Sequence, residues 1–352
     1  MIIRIDTCTN TEGIVRCFRF CVKSGGERVK NSIWSALLAL AVLFALVWLQ
    51  QRLRADEPGS APRPLPETPS PSVSEPEPEL RLLAGEEILT LPLEEYILGV
   101  TAAEMPADFE PEALKAQAVA ARTYALYRAK GGRHEEAELC ADPGCCQAWL
   151  SEEELRRRWG EDYAEKHRKI AAAVQATSGQ ILCCEGQAIF AAFHSSSAGR
   201  TEDCGAIWSE LPYLKSVLSP EDADTVPNFV TTVERDALDF RDTLLYARPE
   251  ADFSGAPETW IGKTELDRSG RAAWVELGGE RFSGTELRGL FSLRSTAFTL
   301  QYEDGVFRFT VTGFGHGVGM SQYGAQVMAL EGADYRAILA HYYPGTELQA
   351  LT

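Results

Sequence analysis

A chain of 352 residues, 45% hydrophobic, is long enough to bury one large core or two modest ones. The formal charge is −17 and unevenly placed: residues 1–54 carry eight Lys and Arg against three Asp and Glu, so the remainder stands at −22. Such an acidic body excludes general nucleic-acid binding and leaves any polyanionic partner to local contacts rather than long-range steering.

Residues 1–32 read as a short basic cytoplasmic tail holding Arg4, Arg16, Arg19, Lys23, Arg28 and Lys30. From Ile33 to Leu49 the chain is apolar and uncharged, with Trp34 and Trp48 near its ends. A spanning helix needs about 17–20 such residues and favours tryptophan at the interfaces. No small-residue cleavage site follows, so residues 33–51 read as an uncleaved anchor rather than a signal peptide. The basic excess before the span puts the N-terminus in the cytoplasm and the rest outside the cell membrane. Residues 52–80 are acidic and proline-rich, an extended spacer with no core of its own.

The domain proper is expected over residues 81–352. A strand around Ile88–Leu91 leads into an apolar helix that ends at Glu104, because Pro106 disfavours further helix. Pro111 suits the first turn of a second helix, whose Leu114, Ala118, Ala121 and Ala125 give a narrow alanine-rich buried face. A cysteine-bearing loop runs from His134 to Cys146. Ser151 and Glu154 form a capping-box pattern, and a longer helix over Asp162–Thr177 stops at Gly179. Gln180–Cys184 and Ala188–His194 read as a hairpin, followed by the hydroxyl-rich loop Ser195–Thr201.

Residues 219–262 give weak signals and no assignment. Trp274–Leu277 reads as a strand, and Ser283 with Glu286 as a second capping box. Phe298–Tyr302 and Val306–Thr312 flank Asp304-Gly305, a strong hairpin signal. Residues 313–324 are too glycine-rich for ordinary helix or strand, and a last helix covers Asp334–His341. The fold class is α+β, with helices packed against antiparallel hairpins around a substrate cleft, behind a single transmembrane helix.

Three loops concentrate chemistry: the one after Glu104, Ser195–Thr201, and Gly315–Gly324. His316 lies between two glycines that let a ligand approach the backbone. Together with Leu98-Gly99-Val100, Ala103-Glu104-Met105-Pro106, Glu112–Tyr124, Ser195–Thr201, Leu211–Val217, Gly315–Ala325 and His341–Thr346, they resemble stage II sporulation protein D from about residue 88 to the C-terminus. The resemblance implies a membrane-anchored lytic transglycosylase that cleaves peptidoglycan glycan strands during engulfment in endospore formation. Its partners would be a cell-wall amidase and engulfment membrane proteins.

The family's catalytic glutamate falls on Glu104. One carboxylate suffices when the muramic C6 hydroxyl is the nucleophile: it donates a proton to the glycosidic oxygen, then takes one from that hydroxyl. Arg122 is expected to orient the carboxylate or grip a lactyl group, with a surface salt bridge as the competing reading. Ser195, Ser197 and Thr201 suit sugar hydroxyls, and His316, Gln322 and Tyr323 suit the opposite wall. His134, Cys140 and Cys146 resemble a zinc loop of some family members, where a His stands at the position held here by Cys145. The ligand set is therefore His134, Cys140 and Cys146, or a version that includes Cys145. Disulfides among the exported cysteines are the rival reading. Alternatives to cleavage are a glycan-binding amidase activator and a zinc amidase or peptidase, the latter without any His-Glu-x-x-His pattern.

Overall fold

The computed structural model describes residues 78–131 and 134–351, which lie within one folded unit. The tail, the apolar run Ile33–Leu49 and nearly all of the spacer lie outside the described residues. Among the described residues, no helix is long and apolar enough to cross a membrane. The fold is α+β with two separate hydrophobic cores.

The first core starts with a hairpin, β1 (Glu79–Ala84) and β2 (Glu87–Pro92), whose far edge takes β3 (Leu139–Cys140) in parallel. Helix α1 (Leu93–Glu104) opens with Glu94 and Glu95, which complement the positive end of its dipole. It stops at Met105, which is extended ahead of Pro106. Helix α2 (Pro111–Ala129) begins on its proline. Next come α3 (Glu152–Trp159), which starts at a complete Ser151–Glu154 capping box, and α4 (Tyr163–Ala176). β4 (Gln180–Cys184) and β5 (Gln187–Ala188) make the expected hairpin, but its second strand is shorter than predicted. It breaks after Ala188, where the N–H groups of Ala191 and Ala192 bond back to the carbonyls of Ile189 and Phe190 in three-residue turns. β6 (Phe193–His194) is thereby freed for another partner.

Residues 230–312 build the second core. They comprise β7 (Val230–Asp236), α5 (Ala237–Ala247), β8 (Ile261–Leu266), β9 (Ala272–Leu277), β10 (Glu280–Ser283), α6 (Gly284–Leu290), β11 (Phe298–Glu303) and β12 (Val306–Thr312). Two three-stranded antiparallel sheets, β10-β9-β8 and β11-β12-β7, enclose aromatic packing in which Phe240 stacks on Phe307 at 3.8 Å between ring centroids. Asp304 and Gly305 both take positive φ at the β11–β12 turn, as their dipeptide signal requires. The Ser283 capping box is only half made: Ser283 Oγ accepts the Glu286 N–H, while the Glu286 carboxylate pairs with Arg248. The excursion leaves at Phe229 and returns at Gly313, whose N–H donates to the Phe229 carbonyl at 2.8 Å.

The glycine-rich segment contains more regular structure than its composition suggests. β13 (Met320–Ser321) pairs in parallel with β6, and Ser321 caps α7 (Gln322–Leu330). The approach depends on Gly319, with φ of +74°, where a Cβ would sit 1.9 Å from the Ala192 carbonyl oxygen. Asp334 then caps α8 (Tyr335–Tyr342), and β14 (Glu347–Ala350) joins β4. Helix α2 does not present a narrow face. It is buried on all sides from Ala116 to Ala125, because α1, α4, α7, α8 and β4 surround it. Its alanines allow those close approaches, making it the post on which the first core is assembled.

Candidate active site

A cleft of about 910 Å³ opens between the end of α1, the cysteine loop, the loop after β6 and the glycine-rich segment. Among the described residues, Glu104 is the one acidic side chain lining it. The carboxylate is half-buried; the Ala148 N–H donates to its Oε1 at 3.0 Å, and the Gln322 amide also bonds to it. Burial pushes the carboxyl's proton affinity up, and these two hydrogen bonds pull it partly back. The helix C-terminus adds to the upward push. Ala148 is held in place from both sides. Buried Gln147 accepts the Tyr96 hydroxyl at 3.2 Å, and Trp149 lies against Gly99 of α1, where a Cβ would meet the indole nitrogen at 2.3 Å.

Immediately upstream, His134, Cys140, Cys145 and Cys146 place their ligand atoms within 4.8 Å of one another. Strand β3 carries Cys140. Asp142 forms the turn that presents the other two cysteines, its Oδ1 accepting the Gly144 N–H and its carbonyl accepting those of Cys145 and Cys146. The His134 Nε2 lies 3.7 Å from the Cys145 sulfur and 3.8 Å from that of Cys146. All six described cysteines are free thiols, so a Cys140–Cys146 disulfide is not formed. Without a cation, burial pushes the Cys146 thiol up to about 12. Three thiols and one imidazole at this spacing fit a tetrahedral metal ion, and Cys145 supplies the fourth donor.

The far wall is aromatic. Ring centroids run from Tyr127 to Phe190 at 5.4 Å, Phe190 to Trp208 at 5.3 Å and Trp208 to His316 at 5.1 Å. Tyr127 and Trp208 are 39% and 44% exposed, large apolar faces left open along the cleft. His316 accepts the Val318 N–H through Nδ1 at 3.1 Å; burial and the charges of Arg288 and Arg271 lower its pKa to about 4, so the ring is neutral near pH 7. Ser195 lines the cleft and its carbonyl receives the Tyr323 N–H at 3.0 Å.

Sequence reasoning placed four other residues at the site that the structure puts elsewhere. Arg122 is fully buried and does not line the cleft; its guanidinium is bidentate on Glu94 at 2.8 and 2.5 Å and donates to the Gln180 carbonyl at 3.1 Å. Ser197 is buried, with its hydroxyl 2.8 Å from His194 Nε2, and His194 Nδ1 faces the Val318 carbonyl at 3.2 Å. Thr201 Oγ1 is buried and accepts the Val217 N–H at 2.9 Å. Tyr323 packs edge-on against Phe109, with ring centroids 5.0 Å apart, outside the cleft lining. Hydroxyls in a glycine-bearing loop suit backbone ties as well as they suit sugar, and here the ties prevail.

Other functional positions carry no motif. The Ala148 amide is invisible in sequence because every residue but proline has one. Arg288 reaches the cleft from α6 of the second core. Buried Glu221 collects the Ser197 N–H, the Ser219 hydroxyl and the Ser321 hydroxyl, locking the serine loop to the start of α7. A second tie joins the two cores. Glu202 donates its N–H to the Gly317 carbonyl at 2.7 Å, and its carboxylate accepts Ser269 at 2.7 Å and lies 3.6 Å from buried Arg271.

One carboxylate at the end of an alanine-packed helix pair, facing a Gly-His-Gly loop and flanked by a Cys/His cluster, defines the cleft of this α+β protein. The family model described as Stage II sporulation protein matches residues 84–183. Stage II sporulation protein D of Bacillus subtilis is 40% identical over 270 residues, covering 75% of this chain and 76% of its own length. The protein of the same name from Bacillus amyloliquefaciens is 38% identical over the same shares. The chain therefore belongs to the stage II sporulation protein D family. An amidase enhancer of Bacillus subtilis is 29% identical over 71% of the chain and 40% of its own length.

Proposed function

We propose that this sporulation protein is a lytic transglycosylase acting on peptidoglycan glycan strands, with Glu104 as its single acid and base. The observation that carries the reading is that Glu104 stands alone: among the described residues no second carboxylate lines the cleft to deliver water or attack the sugar, as ordinary glycoside hydrolysis requires. Intramolecular attack by the muramic C6 hydroxyl on C1 removes that requirement. The Glu104 carboxyl protonates the departing glycosidic oxygen and, once ionised, accepts the hydroxyl proton as the 1,6-anhydro bond closes. Burial keeps the acid protonated at higher pH, and the amides of Ala148 and Gln322 steady the carboxylate between the two transfers. The rings of Tyr127, Phe190 and Trp208 offer apolar faces for sugars to lie on.

His134, Cys140, Cys145 and Cys146 would hold one zinc ion. Four protein donors complete a tetrahedral shell, so the ion would brace the loop rather than activate water. The braced loop continues directly into Gln147 and Ala148, and so sets the amide that faces Glu104. We further place the domain outside the cell membrane on the Ile33–Leu49 anchor, working beside a cell-wall amidase and engulfment membrane proteins.

Mass spectrometry of products from purified protein and peptide-free glycan tests the reaction. Anhydro-muramic ends are expected, and free reducing ends would mean water is the nucleophile. Binding without any cleavage would favour an amidase-activating role, the reading that the amidase enhancer relative supports.

A further inference from the structure

Of the described residues, two arginines line the cleft, Arg128 and Arg288. Arg128 donates to the Tyr124 hydroxyl at 2.9 Å and lies over the Phe190 ring at 5.3 Å, and behind the cleft buried Arg271 lies 3.6 Å from Glu202. Arg288 is different. It lines the cleft from α6, is half-buried, and its guanidinium has no hydrogen-bond or ion-pair partner among the described residues. This occurs in a chain with 51 acidic side chains, where a surface partner would be easy to supply. A half-buried guanidinium keeps its charge and loses solvation, so leaving it unpaired is unfavourable unless an anion arrives. The cleft itself offers none among the described residues, where its one acid is Glu104. Beside Arg288 stands His316, neutral and at the end of the aromatic wall, so an incoming sugar on that wall is brought to the guanidinium.

We propose that Arg288 is a specificity residue that pairs with a carboxylate carried by the glycan substrate. The inference rests on the glycan-cleaving reading above and adds the substrate group that the second core recognises. A planar guanidinium matches a carboxylate through two parallel N–H···O bonds. In a glycan strand that carboxylate has two sources: the lactyl group of muramic acid, free only where the peptide has been removed, or the side and terminal carboxylates of an attached stem peptide.

The test measures binding by the full chain in detergent, with Glu104→Gln to stop turnover and Arg288 intact or changed to Lys or Met. Three probes are used: peptide-free glycan strands, peptide-bearing strands and a neutral chitooligosaccharide of matched length. The parent should favour a carboxylate-bearing probe over the neutral one. Arg288→Met should lower affinity for that probe by about 10–100-fold, the range for losing a charge-assisted hydrogen bond. Its affinity for the neutral probe should be unchanged, which also certifies the fold of the variant. Arg288→Lys should retain part of the preference, and raised salt should narrow the gap.

A loss confined to peptide-free strands identifies the lactyl carboxylate, and a loss confined to peptide-bearing strands identifies the stem peptide. Equal losses on all three probes, or none on any, overturn the assignment of Arg288. A parent that binds none of the three overturns the glycan reading itself, and this inference with it.

Discussion

Arg122 provides the sharpest test of the site as described, because sequence reasoning and structure give it different work. Its side chain is fully buried, its guanidinium is bidentate on Glu94, and the acceptors left without Glu94 are the carbonyls of Gln180 at 3.1 Å and Ala118 at 3.5 Å. Arginine cannot shed its proton to escape, so Glu94→Ala leaves a buried charge facing two neutral oxygens. Breaking such a pair costs about 3–5 kcal/mol. At about 2–4 °C per kcal/mol for a domain of this size, the melting temperature should fall by about 6–20 °C. Replacing both partners should restore most of the loss. In Arg122→Met with Glu94→Gln, the Gln oxygen can still receive the Gly179 N–H that Glu94 now accepts at 3.0 Å. Thermal melts of the three proteins would be read beside turnover of peptide-free glycan well below the lowest transition. The double variant should melt within a few degrees of wild type and cleave within a few-fold of it. A double variant that melts normally yet cleaves about 100-fold more slowly would show that Arg122 acts on substrate, and an unchanged melt for Glu94→Ala would refute the burial argument itself.

Other expectations follow from the same geometry. Glu104→Gln should lower cleavage by about 10²–10⁴-fold, the usual worth of a positioned acid and base, in a single-turnover product assay. It should also melt higher than wild type near neutral pH. The Glu104 carboxyl binds its proton more tightly folded than unfolded, so the stability it contributes is lost as pH rises through the folded value, and the advantage of Gln vanishes in acid. His316 has its pKa lowered to about 4, so its contribution to stability is present above about pH 6.5 and lost as pH falls towards 4; acid melts of His316→Gln should lose that slope. Protein kept reduced should carry about one zinc per chain by elemental analysis, and Cys140→Ser with Cys146→Ser should remove it and lower both the melting temperature and cleavage. Metal-free protein of full activity would end the zinc proposal and leave Glu104 untouched.

What could be read from sequence was whatever a few adjacent residues decide. Pro106 and Pro111 mark the helix ends around Glu104, Ser151 with Glu154 starts α3, Asp304-Gly305 turns β11 into β12, and two glycines single out His316. What could not be read depends on partners distant along the chain. Glu94 lies 28 residues before Arg122, and nothing local distinguishes a buried arginine on an alanine helix from one that reaches a ligand. The Val230–Asp236 strand alternates between exposed and half-buried positions, which blunts its pattern, although Asp236 accepting the N–H groups of Leu238 and Asp239 was an available helix-start signal for α5. Cys145 is the intermediate case. Its place in the loop suggested a fourth ligand, and only the Asp142 turn shows that its sulfur reaches the others.

The hydrogen bond between Gly313 and Phe229 has a consequence for how this chain can change over time. It fastens the neck of residues 230–312, and the free energy of closing a loop at such a neck rises only with the logarithm of its length, by about 0.6 kcal/mol for each doubling. Residues added to the surface turns of the second core, away from its buried aromatics, carry little closure penalty while the neck holds. The first core has no such latitude, since Glu104 and Gln322 must meet across that neck within hydrogen-bond reach. Arg288 sits on the tolerant side of the divide and Glu104 on the constrained side. Turn lengths around Arg288 can therefore change while the contact between Glu104 and Gln322 stays fixed.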